Sequence, residues 1–158
     1  MSTGEGGGEA ITAQGLADLR AELERLEKDE RFAMSERIKA ARELGDLKEN
    51  AEYHIAKEDQ AHLETKIKRL RARLVAAKVV EADESEAFGF GRTSEVLDEA
   101  TGKVHTWTIV GPTEADITAG RLSAESPVAQ ALLGRAPGDR VEVQTPRGAR
   151  AYVIQKLV

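Results

Sequence analysis

Four carboxylates lie within ten residues of one another, Glu43, Asp46, Glu49 and Glu52, with Lys48 and Asn50 among them. Carboxylates with no cysteine and no histidine between them suit a hard cation such as Mg2+. Asp46 and Glu49 cannot complete an octahedral ligand set alone. A metal held by them needs other ligands, such as a partner's carboxylates or nucleic-acid phosphates. The same acids also have a plain structural use, because Asp and Glu at a helix N-terminus satisfy free N–H groups and the helix dipole. Spacing alone leaves both readings open.

A second set is basic. Lys66, Lys68, Arg69, Arg71 and Arg73 form a dense run, and Arg37, Lys39 and Arg42 add to it from an earlier segment. A solvated helix face paired with glutamates three and four residues away accounts for most of them. Weak guidance of an RNA or DNA strand is the functional alternative. His54, His62 and His105 have no ligand spacing. The chain has no cysteine, which excludes a disulfide scaffold, a thiolate zinc site and a cysteine nucleophile. Gly4 to Gly8 follow no strand and cradle no phosphate.

The elements that must position the acids can be read from hydrophobic spacing. Leu16, Leu19, Leu23 and Leu26 form a coiled-coil stripe, and Met34, Ile38 and Ala41 continue it after a register shift near residue 30. Thr12 is placed to cap this first helix. Ala56, Leu63, Ile67, Leu70, Leu74 and Ala77 form the stripe of a second. Two helices of ~30 residues, each about 45 Å long, with one narrow seam apiece, pack as an antiparallel hairpin. Gly45 is the glycine that can turn it, and Asp46-Leu47-Lys48-Glu49 then reads as a capping box opening the second helix. The acids therefore sit at the hairpin tip, residues 44–52.

After Lys78 the period changes. An acidic linker ends in glycines, and short β-type runs follow: TSEVL, VHTWTIV, and a hairpin RVEVQT-PRG-ARAYVIQKL around Pro146 to Gly148. SPVAQALLG reads as a short helix with Ser126 as cap, Pro127 in its first turn and Gly134 at its end. Trp107 and Tyr152 are expected in the core of this domain, and Phe88 and Phe90 are expected to pin it to the helices. The class is α+β: a flexible tail over 1–10, a helical hairpin over 11–79 and a small β-rich domain over 80–158.

Composition narrows the function. The 158 residues are 32% charged and 4% aromatic with a net charge of −5. Residues 1–80 carry −1 and residues 81–158 carry −4, which argues against a general nucleic-acid binder and leaves room for a local basic strip. No apolar run reaches the ~20 residues of a membrane span, and the N-terminus has no signal-peptide pattern, so a cytoplasmic protein with no membrane partner is expected.

The chain resembles the bacterial Gre transcript-cleavage factors. The likeness is carried by ITAQGLADLRAELERLE, by ARELGDLKENAEYHIAKEDQAHLETKIKRL, and by VVEADESEAFGFG, TIVGPTEAD, ESPVAQALLG and GDRVEVQTPRG, in order over residues 11–158. The resemblance implies a C-terminal domain similar to FKBP-type prolyl isomerases, without isomerase activity, that holds the rim of RNA polymerase's secondary channel. It implies that the hairpin enters the channel and meets the 3′ end of backtracked RNA. The tip would help hold the second Mg2+ of the polymerase, which then cuts its own transcript. The factor would have no cofactor and no enzymatic activity of its own.

By matching positions, Asp46 and Glu49 fall on the family's catalytic tip acids. Asn50, Glu52 and Tyr53 fall on supporting positions, and Ser126 and Pro127 on the loop expected to touch the polymerase. FGRTSEV departs from the family's more hydrophobic first strand at Arg92 and Ser94, where Ser94 weakens the strand or faces water. A monomer is expected, with weak self-association left open. Two rival readings are a channel-blocking inhibitor of the same fold, against which the intact GDLKEN tip argues, and a coiled-coil interaction or chaperone module.

Overall fold

The computed structural model describes residues 9–46, 50–82 and 84–158. The chain divides into two units, Leu16–Ala76 and a second formed by the described residues 9–15 together with Ala77–Val158.

The first unit is a helical hairpin. Its first arm comprises α1 (Ala13–Arg25), one π-helical turn (Leu26–Glu30) and α2 (Arg31–Arg42), and its second arm is α3 (Ala51–Ala76). Leu19, Leu23, Leu26, Ile38 and Ala41 of one arm and Ala56, Ile67 and Leu70 of the other are buried. The π turn accounts for the register shift expected near residue 30. Leu26 and Met34 are eight residues apart, one more than a heptad, and a π turn accommodates one extra residue so that the seam continues on the same face. Gly45 turns the chain at φ +116°, a conformation that favours glycine over residues with a Cβ.

Cross-arm ion pairs flank the seam. Arg31 Nε and Nη2 meet the two oxygens of Glu64 at 2.9 and 2.8 Å, Arg37 meets Asp59 at 2.7 Å, and Arg71 meets Glu27 at 2.7 Å. The pairing expected three and four residues along one helix therefore gives way, for Arg71 and for Lys66 with Glu22 at 3.7 Å, to pairing across the hairpin.

The second unit is a five-stranded sheet in the order β5-β4-β3-β7-β6, formed by β3 (Thr93–Asp98), β4 (Val104–Val110), β5 (Arg121–Ser123), β6 (Arg140–Thr145) and β7 (Gly148–Leu157). Neighbours are antiparallel except β4 and β5. The helix α4 (Pro127–Leu132) covers part of it. Two short strands, β1 (Ala10–Ile11) and β2 (Lys78–Val79), pair in parallel. Ile11, the first residue of the hairpin segment expected over 11–79, is instead a buried strand residue.

The core contains Phe88, Val96, Trp107, Ile109, Leu132, Val141, Tyr152 and Ile154. Trp107 packs edge-on against Tyr152 with ring centroids 5.5 Å apart. Phe88 corrects an expectation. It is fully buried within this sheet unit, and its backbone bonds Arg135 and Gly134. Ser94 corrects another, since it does not face water. It is fully buried beside a register shift between β3 and β7, and its hydroxyl satisfies itself on the Lys156 carbonyl at 3.0 Å.

Candidate functional site at the hairpin tip

The first arm ends at Arg42, and Glu43, Leu44 and Gly45 carry the chain out of the helix. Asp46 follows and is exposed. Glu49 lies outside the described residues, as do Leu47 and Lys48.

The second arm opens four residues later than the sequence suggests. Its N-cap is Asn50, whose Oδ1 accepts the backbone N–H of Tyr53 at 3.0 Å, and α3 begins at Ala51. The capping box expected over residues 46–49 lies in part outside the described residues. Asn is a strong N-cap residue. Asn50 also makes a contact across the hairpin, its amide nitrogen donating to the carbonyl of Ala41. One side chain thus satisfies a free donor at the start of the second arm and adds a bond to the Ala41 carbonyl, which also accepts the N–H of Leu44 at 3.2 Å.

Tyr53 stands one turn into α3 and is half-buried. The Arg42 guanidinium lies 5.7 Å from its ring centroid, within cation–π range, and the His54 ring meets it edge-on at 5.6 Å. Glu52 is exposed and lines a shallow groove with Arg37, Ala40, Ala41, Leu44 and Ile55. Leu44 and Ile55 remain 64% and 52% exposed, an apolar pair beside the acids that seam spacing did not single out. A second groove gathers three cations, Lys39, Arg42 and Lys57, with Ser35 and Gln60. Lys57 is the base that the sequence reading did not place with Lys39 and Arg42. It lies fifteen residues beyond Arg42, and only the antiparallel packing brings it opposite.

Asn50, Glu52 and Tyr53 are therefore gathered at one end of the hairpin, with Asp46 in the turn that joins its arms. Ser126 and Pro127 belong to the sheet unit. Ser126 Oγ accepts the N–H of Ala129 at 3.3 Å and donates to the Ser123 carbonyl at 2.7 Å, and Pro127 is the exposed first residue of α4.

Among the described residues, no group of three or more His, Cys, Asp or Glu side chains is placed to hold a metal ion. An exposed carboxylate such as Asp46 suits Mg2+ as one oxygen ligand in a set completed by other molecules. No helix among the described residues is long and apolar enough to cross a membrane.

The chain matches two family models, the N-terminal domain of the GreA/GreB transcription elongation factors over residues 9–79 and their C-terminal domain over residues 83–157. It is 46% identical over 148 residues to transcription elongation factor GreA of Jannaschia sp. strain CCS1, covering 93% of this chain and 95% of that protein. With the GreA of Cereibacter sphaeroides strain ATCC 17023 it shares 47% identity over 145 residues, 91% of this chain and 96% of that one. Among solved structures it is similar to GreA factor homolog 1 of Thermus thermophilus, at 28% identity and a TM-score of 0.41 over 95% of this chain and 98% of that one.

Proposed function

The chain belongs to the GreA/GreB family of transcription elongation factors, and from that premise we propose that it stimulates the cleavage of backtracked transcripts by RNA polymerase. The hairpin enters the secondary channel with its tip toward the polymerase active site, and the sheet unit holds the channel rim. The observation that supports this most is the exposed Asp46, which directly follows the turn at Gly45 in a chain matching both family models.

The roles of the side chains follow from their chemistry. Asp46 and Glu49 supply carboxylate oxygens to a Mg2+ held mainly by the polymerase and orient the attacking water. Two-metal hydrolysis of a phosphodiester needs charge stabilisation at both the entering and leaving oxygens. Asn50 and Tyr53 keep the turn in one conformation, and Glu52 adds negative charge beside it. The polymerase performs the bond cleavage, and this factor contributes ligands and positioning without activity alone. Its partners are the polymerase and the 3′ end of the nascent RNA, in the cytoplasm, and Ser126 and Pro127 touch the polymerase.

The test is cleavage of labelled RNA in a stalled, backtracked polymerase complex with and without the factor. Strong stimulation supports the reading. Slowed elongation without cleavage would make the protein a channel-blocking inhibitor, and no effect on either would send the hairpin to another partner.

A further inference from the structure

The middle of the hairpin is held differently from the stretches on either side of it. On the first arm no residue between Leu26 and Ile38 is fully buried, and on α3 none between Ala56 and Ile67 is. Met34 and Leu63 are only half-buried there. Buried apolar residues flank this stretch on both sides, Leu23, Leu26 and Ile67 on one and Ile38, Ala41 and Ala56 on the other.

The π turn, Leu26–Glu30, opens this stretch. The Arg31 N–H reaches back five residues to the Leu26 carbonyl, and the Arg25 side chain reaches forward five to Glu30 at 2.7 Å. Both follow the i to i+5 spacing of a π-helix. Around the turn, charged groups take over from apolar burial. The fork from Arg31 to Glu64 and the pairs Arg37–Asp59 and Arg71–Glu27 bridge the arms here, with side chains that stay 30–52% exposed. Solvated ion pairs weaken as salt rises. Local opening starts where buried apolar contact is sparse, and helices yield at π turns.

We propose that the π turn and the ion pairs about it form a salt-sensitive joint, at which the hairpin opens locally while the apolar seam on either side stays closed. The joint lies wholly within the Leu16–Ala76 unit. It is a property of the free protein and does not rest on the transcript-cleavage reading. An evenly packed pair of helices exchanges its amide protons fastest at its frayed ends and slowest at its middle. The joint reverses that order.

Residue-by-residue amide exchange of the full chain, measured by NMR at ~0.1 M and ~1 M NaCl, tests this, because the screening length falls from about 10 Å to about 3 Å between them. Rates are referred to an unstructured peptide in the same salt. At high salt the amides of residues 30–34 should exchange about fivefold faster than those of 22–25 and 38–41, and they alone should accelerate with salt, by roughly threefold.

Two variants separate the parts. Glu64→Gln removes the charge that the Arg31 fork grips and keeps the side chain's shape, so amides 30–34 should already exchange near their high-salt rate at low salt. Deleting Asp29, an exposed residue of the turn, sets Leu26 and Met34 a heptad apart and lets a regular α-helix run through. Those amides should then be as slow as their neighbours in both salts.

Amides 30–34 slowest of the three segments at both salts would overturn the joint. Equal acceleration in all three would mean general loosening and would overturn it too. Fast central exchange that persists in a folded deletion variant would take the π turn out of the joint, and an undiminished salt response in Glu64→Gln would take out the ion pair. Should circular dichroism show the deletion variant unfolded, the wild-type and Glu64→Gln rates still decide the proposal.

Discussion

The Asn50 carboxamide joins the two arms of the hairpin at its tip, donating to the carbonyl of Ala41 while its oxygen caps α3 at Tyr53. The two functions are separable by substitution. Asn50→Ala removes both and should destabilise the hairpin by about 1–2 kcal/mol, combining a lost cap with a lost cross-arm hydrogen bond. Asn50→Asp keeps the cap acceptor and loses only the donor, so it should fall between alanine and wild type. Urea unfolding followed by helical circular dichroism would rank the three. Equal stability of alanine and wild type would remove Asn50 as the tip clasp.

Phe88 gives a prediction for the sheet unit. It lies in an otherwise acidic, exposed segment yet is fully buried. Phe88→Ala should cost about 3–5 kcal/mol, the range for emptying a buried aromatic site. Near-ultraviolet circular dichroism of Trp107 during denaturation reports this unit, since Trp107 is the only tryptophan and belongs to the same core. A loss under 1 kcal/mol would mean that the segment is not docked.

Acid should soften the hairpin modestly. The Arg31 hydrogen bond holds the Glu64 carboxyl below its ordinary 4.5, and the Arg25 hydrogen bond does the same for Glu22. Each carboxyl is depressed in the folded state, so its contribution is fully present above pH 4.5 and is lost as pH falls through the lower folded value. Both side chains are solvated, so the effect is small. Arg31→Met should flatten part of the decline in thermal stability below pH 4.5, and an unaltered pH profile would mean that the pair contributes nothing.

The polymerase-contact proposal needs variants that spare the cap of α4. Ser126→Asn retains a side-chain acceptor for the Ala129 N–H and changes the surface, and Pro127→Ala alters the exposed first turn. Together they should weaken binding in a competition assay with the sheet unit's thermal midpoint nearly unchanged. Undiminished affinity would take both residues out of the interface.

What was legible in the sequence was local. The leucine stripe, the break in it, Gly45 as the turn, Thr12 and Ser126 as caps and the β6–β7 hairpin all depend on neighbours within a few residues. What was not legible depends on partners far along the chain. The Asn50 amide meets the Ala41 carbonyl only across the hairpin. Ser94 looks like a surface residue until the Lys156 carbonyl arrives from β7. Glu114 is an unremarkable acid in TEAD until Thr12 is brought against it, 102 residues away. The tip acids themselves carried two readings on spacing alone, and the family match is what favours the functional one.

The central claim is that the tip carboxylates act in the cleavage of backtracked RNA. The most direct measurement compares cleavage rates in backtracked polymerase complexes at saturating wild-type factor and at saturating Asp46→Ala/Glu49→Ala, across a Mg2+ titration. Circular dichroism and a polymerase competition assay confirm fold and binding. The account predicts strong stimulation by wild type and near-complete loss in the double variant, with fold and affinity retained. Cleavage by the double variant as fast as by wild type would contradict it.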